Sequence, residues 1–170
     1  MVKKNGFSLI ELLIVVAIIL IIAAIAIPNL LRARVSANEA SAAASIHDIE
    51  VAEVAYYNMY PSVGYAVAIA NLGGAAIPCV PAATNSCFLD NSLASAIPGS
   101  GGKSGYVFSA VGISAGGLNS SYVAGSIPVA FGVTGVNLYC ANDDGLLRRT
   151  SGPGGMPITT ATCAAFPASQ

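Results

Sequence analysis

Behind a leading basic pair, Lys3 and Lys4, polar side chains almost vanish as far as Leu31. Between Phe7 and Leu31 only Ser8, Glu11, Pro28 and Asn29 interrupt an apolar run, and from Leu12 to Ile27 there is no polar side chain at all. A membrane-crossing helix needs about 20 mostly apolar residues, so this run is long enough to span a bilayer. Two of its members set it apart from a plain anchor. Glu11 lies inside the run, where an unpaired carboxylate costs roughly 2.5–3.5 kcal/mol on insertion scales. Pro28 removes a backbone donor and crowds the preceding turn, which predicts a helix break or kink there.

The helical pattern continues beyond Pro28, since no Gly or Pro occurs between Asn29 and Tyr60. At 100° per residue, Leu31, Val35, Ala42, Ile46, Ile49, Tyr56, Tyr57 and Tyr60 share one side and predict a face packed on a sheet. Glu50 and Glu53 border that stripe and are expected at its edge, reaching water. Arg32, Arg34, Asn38 and Glu39 are expected on the remaining surface. The whole helix would approach 50 residues, about 75 Å at 1.5 Å per residue. That is too long for a 17.0 kDa globule, so the apolar half is expected to project.

Tyr60-Pro61 ends the helix, because a residue before proline avoids the α region. Residues 61–104 are a loop-rich connector. One short helix is expected within Val63 to Leu72, before Gly73-Gly74. A second is expected across Asp90 to Ile97, with Asp90 as N-cap and Pro98-Gly99 as stop. Strands follow at Tyr106 to Val111, Tyr122 to Ile127 and Val136 to Ala141. The turn Asn142-Asp143-Asp144-Gly145 then leads into a short fourth strand between Leu146 and Thr150. The tail is expected on the surface, held by Cys163. One long helix followed by a small antiparallel sheet is an α+β architecture.

Composition narrows the function. The 170 residues carry a net charge of -1 with only 9% charged side chains, which is no basic footprint for nucleic acid. His47 is the sole histidine and reads as a solvated helix residue, so a nucleophilic triad has nothing to be built from. The chain is read as a non-enzyme without a cofactor. Asp143 and Asp144, with Asp90 or carbonyls, are a weak calcium candidate. Two carboxylates are few for six to eight oxygen ligands, and a hairpin turn is the simpler reading. Asn119-Ser120-Ser121 fits a glycosylation sequon, a short motif that recurs by chance. Cys79, Cys87, Cys140 and Cys163 are an even set with spacings unlike a zinc site. Of three possible pairings, Cys79 with Cys87 and Cys140 with Cys163 closes each loop locally.

The string Gly6-Phe7-Ser8-Leu9-Ile10-Glu11-Leu12-Leu13, preceded by lysines and followed by an unbroken apolar run with a later proline, resembles the processing site of type IV prepilins and type II secretion pseudopilins. The close resemblance covers about Lys3 to Val35; beyond it the chain is similar to that family only in layout, a long helix and then a meander of strands. The resemblance implies a cleaved leader at 1–6, with a membrane peptidase cutting between Gly6 and Phe7 and methylating Phe7. It implies an apolar membrane and filament-core helix at 7–30, and a headgroup at 31–170 built from the second half of the helix, the connector 61–104, and the sheet with its C-terminal loop at 105–170. A Cys140–Cys163 bridge would resemble the C-terminal loop disulfide of many pilins. The family's use of the acid carries onto Glu11: the α-amino group freed at Phe7 pairs with Glu11 of a neighbouring copy and sets filament register. That pairing makes a buried carboxylate tolerable. The implied partners are other copies of the chain, the prepilin peptidase, an assembly ATPase and an inner-membrane platform.

Lys3 and Lys4 place the N-terminus in the cytoplasm, with the headgroup outside the inner membrane and then on an extracellular pilus. The function implied is a type IV pilus subunit serving adhesion, motility or uptake. A pseudopilin of a type II secretion system is the alternative, and a signal-anchored envelope enzyme or binding module the third. An ordinary signal peptide would have a shorter apolar core, and a plain anchor leaves Glu11 and the Gly-Phe junction unexplained.

Overall fold

The computed structural model describes residues 8–74 and 78–168. In chain order its elements are α1 (Leu9–Met59), α2 (Ile69–Leu72), α3 (Asn91–Ala94), β1 (Tyr106–Ala115), β2 (Leu118–Pro128), β3 (Asn137–Asn142), β4 (Arg148–Ser151) and α4 (Thr160–Ala164). The chain divides into two compact units after Arg34.

The first unit contains the leading part of α1. Its large apolar side chains are exposed, from Leu9 at 79% to Leu30 at 69%. The helix is unbroken through Pro28, which corrects the break expected at that residue. A proline deprives only the carbonyl four residues back, that of Ala24, of its helical donor. The bonds on either side remain, and proline within a membrane-type helix is tolerated on that basis.

In the second unit the rest of α1 packs on a four-stranded sheet of order β1-β2-β3-β4, antiparallel throughout. Strand alternation sends every second side chain to each face. One face carries Tyr106, Phe108 and Ala110 of β1, Tyr122 and Ala124 of β2, and Tyr139 and Ala141 of β3. These form one core with Ala42, Ile46, Ile49, Ala52 and Tyr56 of α1. The helical stripe starts later than expected, since Leu31 is exposed, and Tyr57 turns outward while Tyr56 and Tyr60 on either side of it pack on the core. The connector adds Ala66, Ile69, Leu72, Leu89 and Leu93 to the same core.

The opposite face of the sheet is covered by the tail. Val123 and Cys140 pack there with Cys163, Ile113 and Phe166. Gly125 belongs to this face, and a Cβ on it would lie 2.5 Å from the Pro157 carbonyl oxygen; the tail sits directly on its backbone. α4 itself starts at a Thr159 cap whose hydroxyl accepts the Thr162 N–H at 3.2 Å.

β1 and β2 are longer than their patterns suggested. They meet at Gly116-Gly117, both at positive φ (+66° and +94°), the conformation a tight two-residue hairpin requires. Asp90 occupies the N-cap position of α3 but does not cap it with its side chain; the carboxylate takes the Ser92 hydroxyl instead.

Candidate functional site

At the start of α1 the Glu11 carboxylate folds back on its own helix. Its Oε2 accepts the Ser8 backbone N–H at 2.9 Å, while the Ser8 carbonyl accepts the Leu12 N–H at 3.3 Å. The first amides of a helix have no intrahelical partner, and a glutamate at the third helical position is placed to satisfy one of them. Ser8-Leu9-Ile10-Glu11 carries the Ser-x-x-Glu signature of that arrangement, a signal present in the sequence beside the acid's depth in the apolar run. Negative charge in the first turn also complements the helix dipole. Glu11 is exposed, as are the aliphatic side chains that follow it. α1 is long and apolar enough to cross a membrane, and none of its most apolar window is covered. Gly6 and Phe7, where cleavage, methylation and the Phe7–Glu11 pairing are expected, lie outside the described residues.

The second unit holds a carboxylate that the helical pattern misplaced. Glu53 does not reach water; it is fully buried. Its Oε2 accepts the Ala66 N–H at 2.8 Å, and its Oε1 is buried with no hydrogen-bond partner among the described residues. Burial pushes the carboxyl up to about 8, against the opposing pull of the Ala66 N–H, so the side chain is mostly neutral at pH 7. Glu53 thereby fastens the connector to α1. The cause of the correction is local: Gly64 and Tyr65 dock against Asn119, which folds the connector over a position that an isolated helix would leave open. Glu50 is half-buried; desolvation raises its pKa, and a contact with His47 Nδ1 at 3.3 Å opposes the rise. His47 itself is largely solvated.

Two other residues expected on the free surface are structural ties. Asn38 donates from Nδ2 to the Thr134 carbonyl at 2.9 Å. Glu39 accepts from the Val136 N–H (2.8 Å), the Asn137 N–H (3.2 Å) and Asn137 Nδ2 (2.8 Å). Arg32 and Arg34 are exposed as expected.

The Asp143-Asp144 turn is a closed structure. Asp144 Oδ1 accepts the Leu146 N–H and Arg148 Nη1, each at 2.9 Å, and its Oδ2 accepts Arg148 Nη2. Arg148 holds the Asp144 carboxyl below the usual carboxylate range. Among the described residues no group of three His, Cys, Asp or Glu side chains is arranged to hold a metal ion. Asn119 of the sequon is engaged as well, donating from Nδ2 to the Tyr65 carbonyl at 2.8 Å. Cys79–Cys87 and Cys140–Cys163 are disulfides. The first ties a loop of the connector; the second fixes α4 to the sheet.

An uncovered apolar helix with one acid in its first turn, continuing into a helix packed on an antiparallel sheet, defines a pilin-like α+β subunit. Residues 1–27 match the prokaryotic N-terminal methylation motif. The chain is 56% identical over 46 residues at its N-terminus to the type IV wide pilus major component PilA4 of Thermus thermophilus. That match covers 27% of this chain and 35% of the relative, so the chain aligns with about a third of the relative's length. No solved structure matches. The N-terminal segment of the chain is thus similar to that of a type IV pilin and carries a prepilin-type methylation motif.

Proposed function

We propose that this chain is the structural subunit of a type IV pilus, matured by cleavage between Gly6 and Phe7 and assembled from the inner membrane. The observation that carries the reading is the exposed apolar surface of α1 with Glu11 in its first turn. That surface needs lipid before assembly and neighbouring helices after it, because contiguous exposed apolar area of this extent is unfavourable in water. Exchange of lipid for protein costs little, since both are apolar. The carboxylate decides the register. Within one chain Glu11 satisfies the Ser8 amide, and in a filament the methylated α-amino group of Phe7 of an adjacent copy meets it. A carboxylate and an ammonium removed from water together are tolerable where either alone is costly.

The subunit then works by polymerising rather than by chemistry, and the fibre serves adhesion, motility or uptake. The peptidase, ATPase and membrane platform belong to the same reading. The reading of a pilus over a secretion pseudopilus is supported by the similarity to a pilus component of Thermus thermophilus and by Asp144, whose two oxygens are engaged by Arg148 rather than open to calcium. The test is Glu11→Ala in cells that assemble the native chain. Leader cleavage and membrane insertion persist and surface filaments disappear. Normal filaments from that variant refute the pairing.

A further inference from the structure

We propose that a hollow between α1 and the β3–β4 turn takes an arginine side chain of a second copy of this chain; this rests on the filament reading above and names a contact between its subunits. The hollow has a volume of about 330 Å³, and its walls include Val51 and Val54 of α1, Tyr65, Tyr122 and the carboxylates of Glu50 and Asp143. All of these belong to the second unit.

The polar groups of the hollow are short of partners. Glu50 Oε2 lies 3.3 Å from His47 Nδ1, but its Oε1 is buried without a hydrogen-bond partner among the described residues. Asp143 is exposed and makes neither a hydrogen bond nor an ion pair among them, unlike Asp144 beside it. Tyr122 is only 2% exposed, yet its hydroxyl also has no partner among the described residues, and the hollow it lines is its way out of the core. Its ring packs against that of Tyr65 with centroids 4.8 Å apart. A buried polar group left unpaired is costly, so these oxygens point to a ligand that supplies donors.

The lining says which ligand. Two carboxylates, a phenol oxygen and two aromatic rings attract positive charge and offer little to an anion. A metal ion does not fit, since no three His, Cys, Asp or Glu side chains among the described residues are arranged to hold one. A guanidinium does fit. It is planar, carries five N–H donors and no acceptor, and lies well against aromatic faces. Its aliphatic stem can cover Val51 and Val54, both about half exposed.

The chain does not fill the hollow itself, for no Lys or Arg lines it. Lys103 donates to Ser45 Oγ at 3.2 Å, and Arg148 is held by Asp144. Arg32, Arg34 and Arg149 are exposed, and their guanidinium groups have no hydrogen bond or ion pair among the described residues. Each copy thus presents an acceptor-lined hollow without a cation and arginines without an anion. A site and its complement at separate places on one molecule join copies head to tail, the kind of contact that grows an open filament.

The test is charge reversal in cells that express this chain with a pilus assembly apparatus, read as the yield of sheared filaments. Asp143→Arg is expected to lower the yield several-fold, and Tyr122→Phe, which removes only the hydroxyl, to lower it less. Adding one of Arg32→Asp, Arg34→Asp or Arg149→Asp to Asp143→Arg is expected to restore it, and that rescue separates a lost contact from a lost fold. Native yield from Asp143→Arg, or a loss that none of the three reversals restores, overturns the contact and leaves the filament standing. Absence of filaments from the native chain overturns both. Replacing the rescuing arginine by lysine then lets a carbodiimide join it to Glu50 or Asp143 in filaments from cells shifted between two nitrogen isotopes. Linked peptides carrying both isotopes are expected; links confined to one isotope, or none, overturn the second copy as the occupant.

Discussion

Glu53 offers the sharpest test of the packing of the second unit. Its folded pKa is about 8 against an ordinary value of 4.5. The folded protein therefore binds a proton that the unfolded chain has released, and the sign follows. Stability is greatest below the unfolded pKa and falls as pH rises through the folded one. Two-state linkage between pH 5 and pH 8 gives a loss of roughly 3–4 kcal/mol from this group. Glu50, also raised by burial, slopes the same way. Glu53→Gln keeps the shape and an oxygen for the Ala66 N–H but cannot titrate. The assay is urea unfolding of the full-length protein in detergent micelles from pH 5 to pH 8, followed by circular dichroism, with both disulfides intact. The difference between wild type and Glu53→Gln isolates the single group, and it should swing by on the order of 3 kcal/mol across the range, the wild type losing more. Parallel curves would show that Glu53 ionises freely in the folded state and that the connector does not seal it from water.

Two further outcomes follow from the same contacts. Glu39→Ala removes three hydrogen bonds between α1 and the start of β3; a loss of about 1–3 kcal/mol is expected in chemical unfolding, with faster hydrogen exchange at the Val136 and Asn137 amides. Replacing Cys140 and Cys163 together by serine should cost about 2–5 kcal/mol. Replacing Cys79 and Cys87 should cost roughly 1 kcal/mol less from loop length alone, since the cysteines are 8 residues apart rather than 23. Thermal unfolding of the two double variants checks the order.

Periodicity made the long helix and the sheet legible because both signals are local. Ile46, Ile49 and Tyr56 repeat at the helical spacing, and Tyr106, Phe108 and Ala110 alternate, whatever else the chain does. The limits of β1 and β2 were harder to see: Gly112, Ser114 and Ala115 carry little pattern, and the pairing is held by backbone bonds and by the Gly116-Gly117 turn. α4 escaped notice because Thr160–Ala164 has no apolar stripe; its position depends on Cys163 and on a sheet face assembled from distant residues. For the same reason helical periodicity alone turns Glu39, Asn38 and Glu53 toward solvent. A helical wheel shows which residues share a side, but not that the loops after β2 and after α1 fold over the rim of that side. At Pro28 one missing donor does not interrupt a helix whose neighbouring turns remain bonded. At the N-terminus the motif carried the functional reading, and the structure adds the engagement of Glu11 with the Ser8 amide.

The filament account stands or falls at the first mature residue. Fibres sheared from cells expressing this chain and measured by intact mass should give a subunit that begins at Phe7, lacks Met1 to Gly6 and carries one added methyl group. A subunit that retains its leader, or one whose first residue lies beyond Pro28, would contradict it.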